Sequence, residues 1–131
     1  MIEGMHTVWC QVSEMDRALT FYRDVLGLRV SYTSPYWTEF DLGNGKLGLH
    51  PTLSGNSRSP LGEFGCGWFV GLRTTDLQGL RERLVGAGVR IHGDYHDIPG
   101  GTVLDFEDPD GNALEAMQEG ITAKQLGTTR G

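Results

Sequence analysis

The stretch DFEDPDGNALEAM, residues 105–117, predicts two strands joined by a tight turn. The turn contains a Pro-Asp-Gly sequence starting at Pro109, in which proline fixes φ and glycine accepts a positive φ. The apolar segments 103–106 and 113–117 are short enough to be strands. Alternation places Glu115 on the face opposite its immediate apolar neighbours. Because an unpartnered carboxylate is costly to bury, Glu115 is expected to have a partner.

Composition restricts the class of protein. The chain has 131 residues, 38% of them hydrophobic and 21% charged, which suits one globular domain or two small similar halves. A formal net charge of −6 argues against binding to nucleic acid or an anionic membrane. The sequence has no apolar run of transmembrane length and no signal-peptide pattern. Its two cysteines, Cys10 and Cys66, make no metal motif and do not imply a disulfide, so a reducing cytoplasm is the expected location.

The periodicity of the chain predicts the same unit twice. Each unit reads as a strand, a helix and three further strands, which makes the predicted fold class α+β with two paired βαβββ modules. The first helix is predicted at 14–26. The predicted boundaries are 5–52 for the first module, 53–66 for a linker loop, 67–119 for the second module and 120–131 for a tail without a pattern.

The repeat suggests a partner for Glu115. In the alignment of the two halves, His50 of the first module falls where Glu115 falls in the second. If the modules pair about a pseudo-twofold axis, the imidazole and the carboxylate face each other across one cavity. The alternative is that Glu115 forms a salt bridge with Lys46 or Arg73 on a solvated sheet surface.

Two motifs resemble the vicinal oxygen chelate superfamily, which includes glyoxalase I, the bleomycin-resistance proteins and the extradiol dioxygenases. They are SEMDRALTFYRDVLGL at 13–28 and DPDGN at 108–112 followed by Glu115, and the resemblance covers about residues 5–119. It implies that the modules form a cupped, half-open barrel. It also implies that the cup often holds a divalent metal ion bound by the first and last strands of each module.

Residue by residue, the resemblance puts the metal positions at Glu115, His50, Thr7 and Phe69. The side chains of Glu115 and His50 are good ligands, whereas that of Phe69 cannot ligate. His6 lies one residue from the Thr7 position, so it is expected to point under the helix and to reach the cup only through a bulge. Glu115 is also the expected catalytic residue.

The remaining candidates line a pocket or its rim. Thr7, Trp9 and Gln11 share one face of the first strand, and Trp37 and Phe69 complete a predicted aromatic pocket. His92 and His96 are expected in or beside a polar loop, either solvated or at a rim.

Two functions remain open at this point. The first is a metal-dependent isomerase, lyase or dioxygenase acting on a substrate with two adjacent oxygens. The second is a metal-free protein that binds a small molecule or drug, as bleomycin-resistance proteins do. In both cases the resemblance implies a homodimer.

Overall fold

The structure is a computed structural model that describes Met1, Glu3, residues 5–51 and residues 69–127. The chain divides into two compact units, Met1–Arg58 and Ser59–Gly131, which we name the first and second modules. The predicted linker, residues 53–66, lies outside the described residues. No helix within the described ranges is long and apolar enough to cross a membrane.

The described part of the first module contains four strands and one helical region, and Gly27 with φ of 75° ends that region. The helix starts in the α form and continues as a π-helical segment. The elements are β1 (Val8–Val12), α1 (Met15–Leu19), the π-helical segment (Thr20–Val25), β2 (Arg29–Ser34), β3 (Trp37–Asp41) and β4 (Lys46–Pro51).

The second module repeats this order and adds a short helix. Asp76 caps its longer helix by accepting a hydrogen bond from the Gly79 backbone N–H at 3.0 Å. The elements are β5 (Val70–Arg73), α2 (Leu77–Gly86), β6 (Ile91–Ile98), β7 (Gly101–Glu107), β8 (Ala113–Glu119) and α3 (Ala123–Leu126).

The two sheets have the same topology. Their strand orders are β1-β4-β3-β2 and β5-β8-β7-β6, with the first pair parallel and the others antiparallel. The predicted α+β class with two βαβββ modules is therefore confirmed.

One face of each sheet supplies the core. Tyr22 of the helical region lies 5.7 Å from Phe40 of β3, measured between ring centroids, and both side chains are buried. Leu84 of α2 and Phe106 of β7 are fully buried in the second module. Since strand residues alternate between faces, the residues next to these core positions lie on the opposite face, where the candidate functional side chains are found.

The structure corrects two sequence predictions in the second module. His92 and His96 lie within β6 and not in a polar loop. The tail is not patternless, because Thr122 and Gln125 form a capping box that starts α3. Asp97 of β6 holds this helix by accepting a hydrogen bond from the Ala123 backbone N–H at 2.7 Å.

Candidate functional site

The turn between β7 and β8 fixes the position of Glu115. Asp108 Oδ1 accepts hydrogen bonds from the backbone N–H groups of Asp110 and Asn112, at 2.9 and 2.8 Å. Gly111 takes the positive φ of 86° that the turn needs. The turn therefore sets the strand register, and this register places Glu115 directly opposite Asp105.

Three potential ligand side chains converge at this point of the second module. His96, Asp105 and Glu115 each offer one ligand atom, and these atoms all lie within 4.8 Å of one another. Asp105 and Glu115 are partly buried, whereas His96 is exposed. We name these three residues the acidic cluster.

The electrostatics of the cluster are unfavourable for two carboxylates. Burial raises the pKa of the Glu115 carboxyl, the neighbouring carboxylate of Asp105 raises it further through its charge and a side-chain hydrogen bond, and the charge of His96 lowers it. Asp105 Oδ1 is buried and receives no hydrogen bond from the part of the chain that the structure describes. Within those residues, the cluster thus lacks hydrogen-bond donors around one oxygen.

Neither predicted salt bridge to Glu115 is formed. Arg73 pairs with Glu119 at 3.5 Å, and Lys46 pairs with Glu39 at 3.1 Å. The surface salt-bridge interpretation of Glu115 is therefore wrong, since its charged neighbours are Asp105 and His96.

A break in the register of β6 brings His96 to the cluster. His92 pairs with Asp105, and His96 pairs with Val103. A step of four residues along β6 is therefore matched by a step of two residues along β7, and β6 contains two extra residues. Gly93 has φ of 75° in this irregular segment. The other histidine, His92, is held by Glu107, with 2.7 Å between Nε2 and Oε2.

The first module has an aromatic cluster instead, formed by Trp9, Trp37 and His50. The ring centroids are 6.3 Å apart for the two tryptophans and 5.9 and 6.4 Å from His50 to Trp9 and Trp37. Trp9 is 51% exposed. Trp37 Nε1–H donates to Glu39 Oε2 at 3.2 Å, and this hydrogen bond is the main reason why the pKa of Glu39 is lowered.

His50 is oriented by its neighbour along the chain. Its Nδ1 lies 2.7 Å from the carbonyl oxygen of Pro51. A carbonyl oxygen only accepts, so Nδ1 carries the proton and Nε2 has the lone pair in the neutral ring. This is the tautomer in which Nε2 can bind a metal ion or accept a proton.

The strand registers correct the predicted equivalence of His50 and Glu115. Two core phenylalanines mark corresponding positions, because Phe40 pairs with Val30 and Leu47 while Phe106 pairs with Ile91 and Leu114. Counting one residue onward along each last strand, Glu115 corresponds to Gly48. His50 lies two residues further on and corresponds to Met117. Because side chains alternate along a strand, this shift of two residues leaves His50 on the face of its sheet that corresponds to the face of Glu115.

The other predicted positions lie near the starts of the first strands. Thr7 and Phe69 correspond to each other, two residues before Trp9 and Gly71, and both are partly buried just outside their strands. Gln11 is exposed and pairs with His50. His6 is exposed and precedes β1, so its predicted position under the helix is wrong.

Sequence reasoning missed Asp105, and it did not connect His96, expected to be solvated or at a rim, with Glu115. The first could have been found, because residues 105 and 115 are equally far from the centre of a turn at Asp110. His96 could not, because its position depends on the irregular segment of β6.

Comparisons with known proteins were made for the whole chain. The family model for the Glyoxalase/Bleomycin resistance protein/Dioxygenase superfamily matches residues 4–116. A lactoylglutathione lyase from Haemophilus influenzae is 30% identical over 132 residues, covering 94% of this chain and 97% of that protein.

Two solved structures show a similar fold. The fosfomycin resistance protein FosX from Listeria monocytogenes has a TM-score of 0.72 at 15% identity, covering 92% of this chain and 97% of its own. A bleomycin-binding protein in complex with bleomycin has a TM-score of 0.65 at 22% identity, with 89% and 99% covered.

Proposed function

We propose a function from the premise that this chain belongs to the Glyoxalase/Bleomycin resistance protein/Dioxygenase superfamily. It is a lyase or isomerase that acts on a small molecule with oxygens on two adjacent carbons. The 30% identity with a lactoylglutathione lyase over nearly the full length of both chains supports the lyase class ahead of the dioxygenase class.

The observation that carries the proposal is the position of Glu115. Its carboxylate is partly buried at the centre of the second module's sheet, and its β5 neighbour is Gly71. Among the described residues, a Cβ built at Gly71 meets nothing within 4 Å, so the space beside the carboxylate is open on this side. A base must come within hydrogen-bond reach of the proton that it removes, and this space allows that approach.

In the proposed reaction, Glu115 takes a proton from a substrate carbon next to a carbonyl group. It returns the proton to the former carbonyl carbon, while the proton of the neighbouring hydroxyl group moves to the former carbonyl oxygen. The product is then an isomer of the substrate, and no atoms are gained or lost. Asp105 keeps a second negative charge beside Glu115, which opposes release of the proton to solvent and favours its return to the substrate.

The resemblance also implies a divalent metal ion, which when bound would polarise the two substrate oxygens and stabilise the negative charge formed on proton loss. Of the residues predicted at metal positions, Glu115 and His50 have good ligand atoms, Thr7 has a weak one and Phe69 has none. Asp105 Oδ1, which is buried and has no hydrogen-bond partner within the described residues, supports the fit of a cation beside Glu115. That His50 and Glu115 share one ion stays a prediction.

The test is conversion of methylglyoxal and glutathione to lactoylglutathione by the full chain, with other hydroxy-carbonyl compounds in parallel. We expect activity in the wild type and a loss of at least about 100-fold in Glu115→Gln, because a general base contributes that much. Glu119→Gln is the matched control, since Glu119 lies on the same strand and is exposed. Wild-type inactivity on every compound, or full activity of Glu115→Gln, would overturn the proposal.

The second candidate function is drug binding, and the aromatic cluster favours it. The half-exposed ring of Trp9 beside Trp37 offers a stacking surface for a planar or cationic molecule. Titration with bleomycin, followed by tryptophan fluorescence, tests this function. Binding that Trp9→Ala abolishes and the exposed control Tyr36→Ala preserves would favour it, and absence of quenching would exclude it for bleomycin.

We further propose that the protein is a homodimer, as the family resemblance implies. Light scattering coupled to size-exclusion chromatography should give twice the chain mass of 14.4 kDa. A mass of one chain across micromolar concentrations would contradict this proposal.

A further inference from the structure

The acidic cluster brings two carboxylates together at an energetic cost. Asp105 and Glu115 lie directly opposite each other on antiparallel strands, where like charges destabilise the pair. Both are partly buried, which adds the cost of desolvation. Two carboxylates in this position need a cation or a shared proton.

A second, independent observation points to a cation. Asp105 Oδ1 is buried and no residue in the described ranges donates a hydrogen bond to it. Buried acceptors without a partner are uncommon in folded proteins, and a bound cation can satisfy such an oxygen. This oxygen belongs to a side chain of the cluster itself.

We propose that His96, Asp105 and Glu115 together bind one divalent transition-metal ion within the second module. The inference rests on the proposed function, because both assign a role to Glu115, and it deepens that function by naming the ligands of a metal ion. It differs from the ligand set that the family resemblance implies, because His96 and Asp105 are on β6 and β7, and not on the first and last strands of the modules.

The dimensions suit such an ion. Two ligands that bind a metal at about 2.0–2.3 Å lie about 3–4.5 Å apart, depending on the coordination angle. The three ligand atoms are already within 4.8 Å of one another, so small side-chain rotations bring them to that range. His96 is exposed and can make such a rotation at low cost.

The ligand types select the class of metal. One imidazole nitrogen and two carboxylate oxygens suit Zn²⁺, Mn²⁺ or Fe²⁺, whereas Mg²⁺ and Ca²⁺ prefer oxygen ligands alone and more of them. No residue in the described ranges fills the space over Gly71, which leaves that side of the ion open to substrate or water. An ion here would also neutralise the negative charge that the two carboxylates share.

The architecture of β6 supports a specific role for His96. Without the extra residues in the irregular segment, continuing the register from His92 would place Asp94 opposite Val103. With the irregular segment present, His96 occupies the position opposite Val103, so an imidazole stands there and not a third acidic side chain. The nearby His92 is already bound to Glu107, which leaves His96 as the histidine for the cluster.

The test is direct metal binding by the full chain after chelator treatment, using Zn²⁺ and Mn²⁺ as probes and Mg²⁺ as comparator. Isothermal titration calorimetry and elemental analysis should give one Zn²⁺ or Mn²⁺ per chain and much weaker Mg²⁺ binding. His96→Ala, Asp105→Asn and Glu115→Gln should each weaken binding at least tenfold. Glu119→Gln is the matched control and should bind as the wild type does.

His96→Ala is the deciding variant, because an exposed side chain can be removed without loss of the fold. Unchanged metal affinity in His96→Ala would overturn the inference. Loss of binding in His50→Ala together with retention in His96→Ala would assign the ion to the sequence-predicted pair instead. Since binding is measured without substrate, an inactive wild type that binds one ion would refute only the proposed function.

Discussion

One row of cross-strand neighbours runs across each sheet at corresponding positions, and the two rows differ in chemistry. The first module has Tyr32, Glu39, Gly48 and Trp9, whereas the second has His92, Asp105, Glu115 and Gly71. In the first row the glycine is on the last strand and the large side chain on the first strand. In the second row these positions are exchanged.

The position of the glycine determines what each row can hold. A Cβ at Gly48 would overlap Trp37 Cη2, so glycine on β4 lets an indole ring lie against the strand. A Cβ at Gly71 would meet none of the described residues within 4 Å, so glycine on β5 leaves open space next to Glu115 in this part of the chain. The same topology thus supports ring stacking in one module and a carboxylate cluster in the other.

The largest expected effect comes from adding a methyl group at each glycine. Gly48→Ala should lower the free energy of unfolding by about 1–3 kcal/mol, because the indole or the strand must move. Gly71→Ala, the corresponding change in the second module, should leave it within about 0.5 kcal/mol. Urea unfolding followed by circular dichroism measures both.

A double variant sharpens this comparison. In a Trp37→Ala background, Gly48→Ala should cost little, since the atom that it meets is gone. Equal losses in Gly48→Ala and Gly71→Ala would show that the indole does not occupy the space over Gly48.

A smaller effect is expected from relieving the carboxylate pair. With chelator present at neutral pH, Glu115→Gln should raise the free energy of unfolding by up to about 1 kcal/mol, the size of a cross-strand charge effect. Glu119→Gln, which removes the exposed partner of Arg73, should give no gain.

The pH dependence follows from the direction of the shift. The pKa of Glu115 is raised on folding by burial and by Asp105, so its ionised form opposes folding above the ordinary carboxyl pKa. The gain from Glu115→Gln should therefore shrink as the pH falls through the raised pKa of the folded state, and it should be absent below about 4.5, where the carboxyl is protonated in both states. A gain that grows on acidification would contradict this account.

The smallest effect is expected at the outer hairpins. Thr102 Oγ1–H donates to Asp97 Oδ1 at 2.7 Å in the second module, while Thr33 and Thr38 form a neutral hydroxyl pair at 2.8 Å in the first. The hydrogen bond from Thr102, followed by that from the Ala123 N–H, lowers the pKa of Asp97. Asp97→Asn should speed hydrogen exchange at the start of α3, with little change in overall stability.

The sign of this effect can be tested against the neutral pair. Because its pKa is lowered on folding, Asp97 stabilises the fold above the ordinary carboxyl pKa. This stabilisation is lost as the pH falls through the lowered pKa of the folded state. Exchange in wild type should approach that of Asp97→Asn only at strongly acidic pH. Thr33→Val should show no such pH dependence, and equal pH profiles for the two variants would be the contrary result.

Much of the architecture could be predicted because its signals are local. The helix ending at Gly27 and the turn around Gly111 depend on residues adjacent in the chain, so their positions agree with the sequence analysis. The capping box of α3 is also local and was overlooked, since it follows a strand without any apolar repeat.

The candidate site was predictable only in part. Glu115 could be identified as an isolated carboxylate on an apolar strand. Aligning the two modules by sequence pairs it with His50, which is two residues off the strand register. The offset arises in the preceding hairpin, where 15 positions separate Ile91 from its partner Phe106 and only 10 separate Val30 from Phe40. The last turns differ by only one residue. In the first module the Leu42 N–H bonds to Gly45, and in the second the Asp108 N–H bonds to Asn112.

The sequence by itself determined the βαβββ repeat, the face on which each strand residue lies and the presence of a lone carboxylate at 115, because periodicity and turn chemistry act over a few residues. Only the tertiary structure decided which groups meet that carboxylate. Strand pairing places Asp105 opposite it, and two extra residues in β6 bring His96 beside both. Such contacts depend on register between strands, and one or two residues in a turn or bulge are enough to change them.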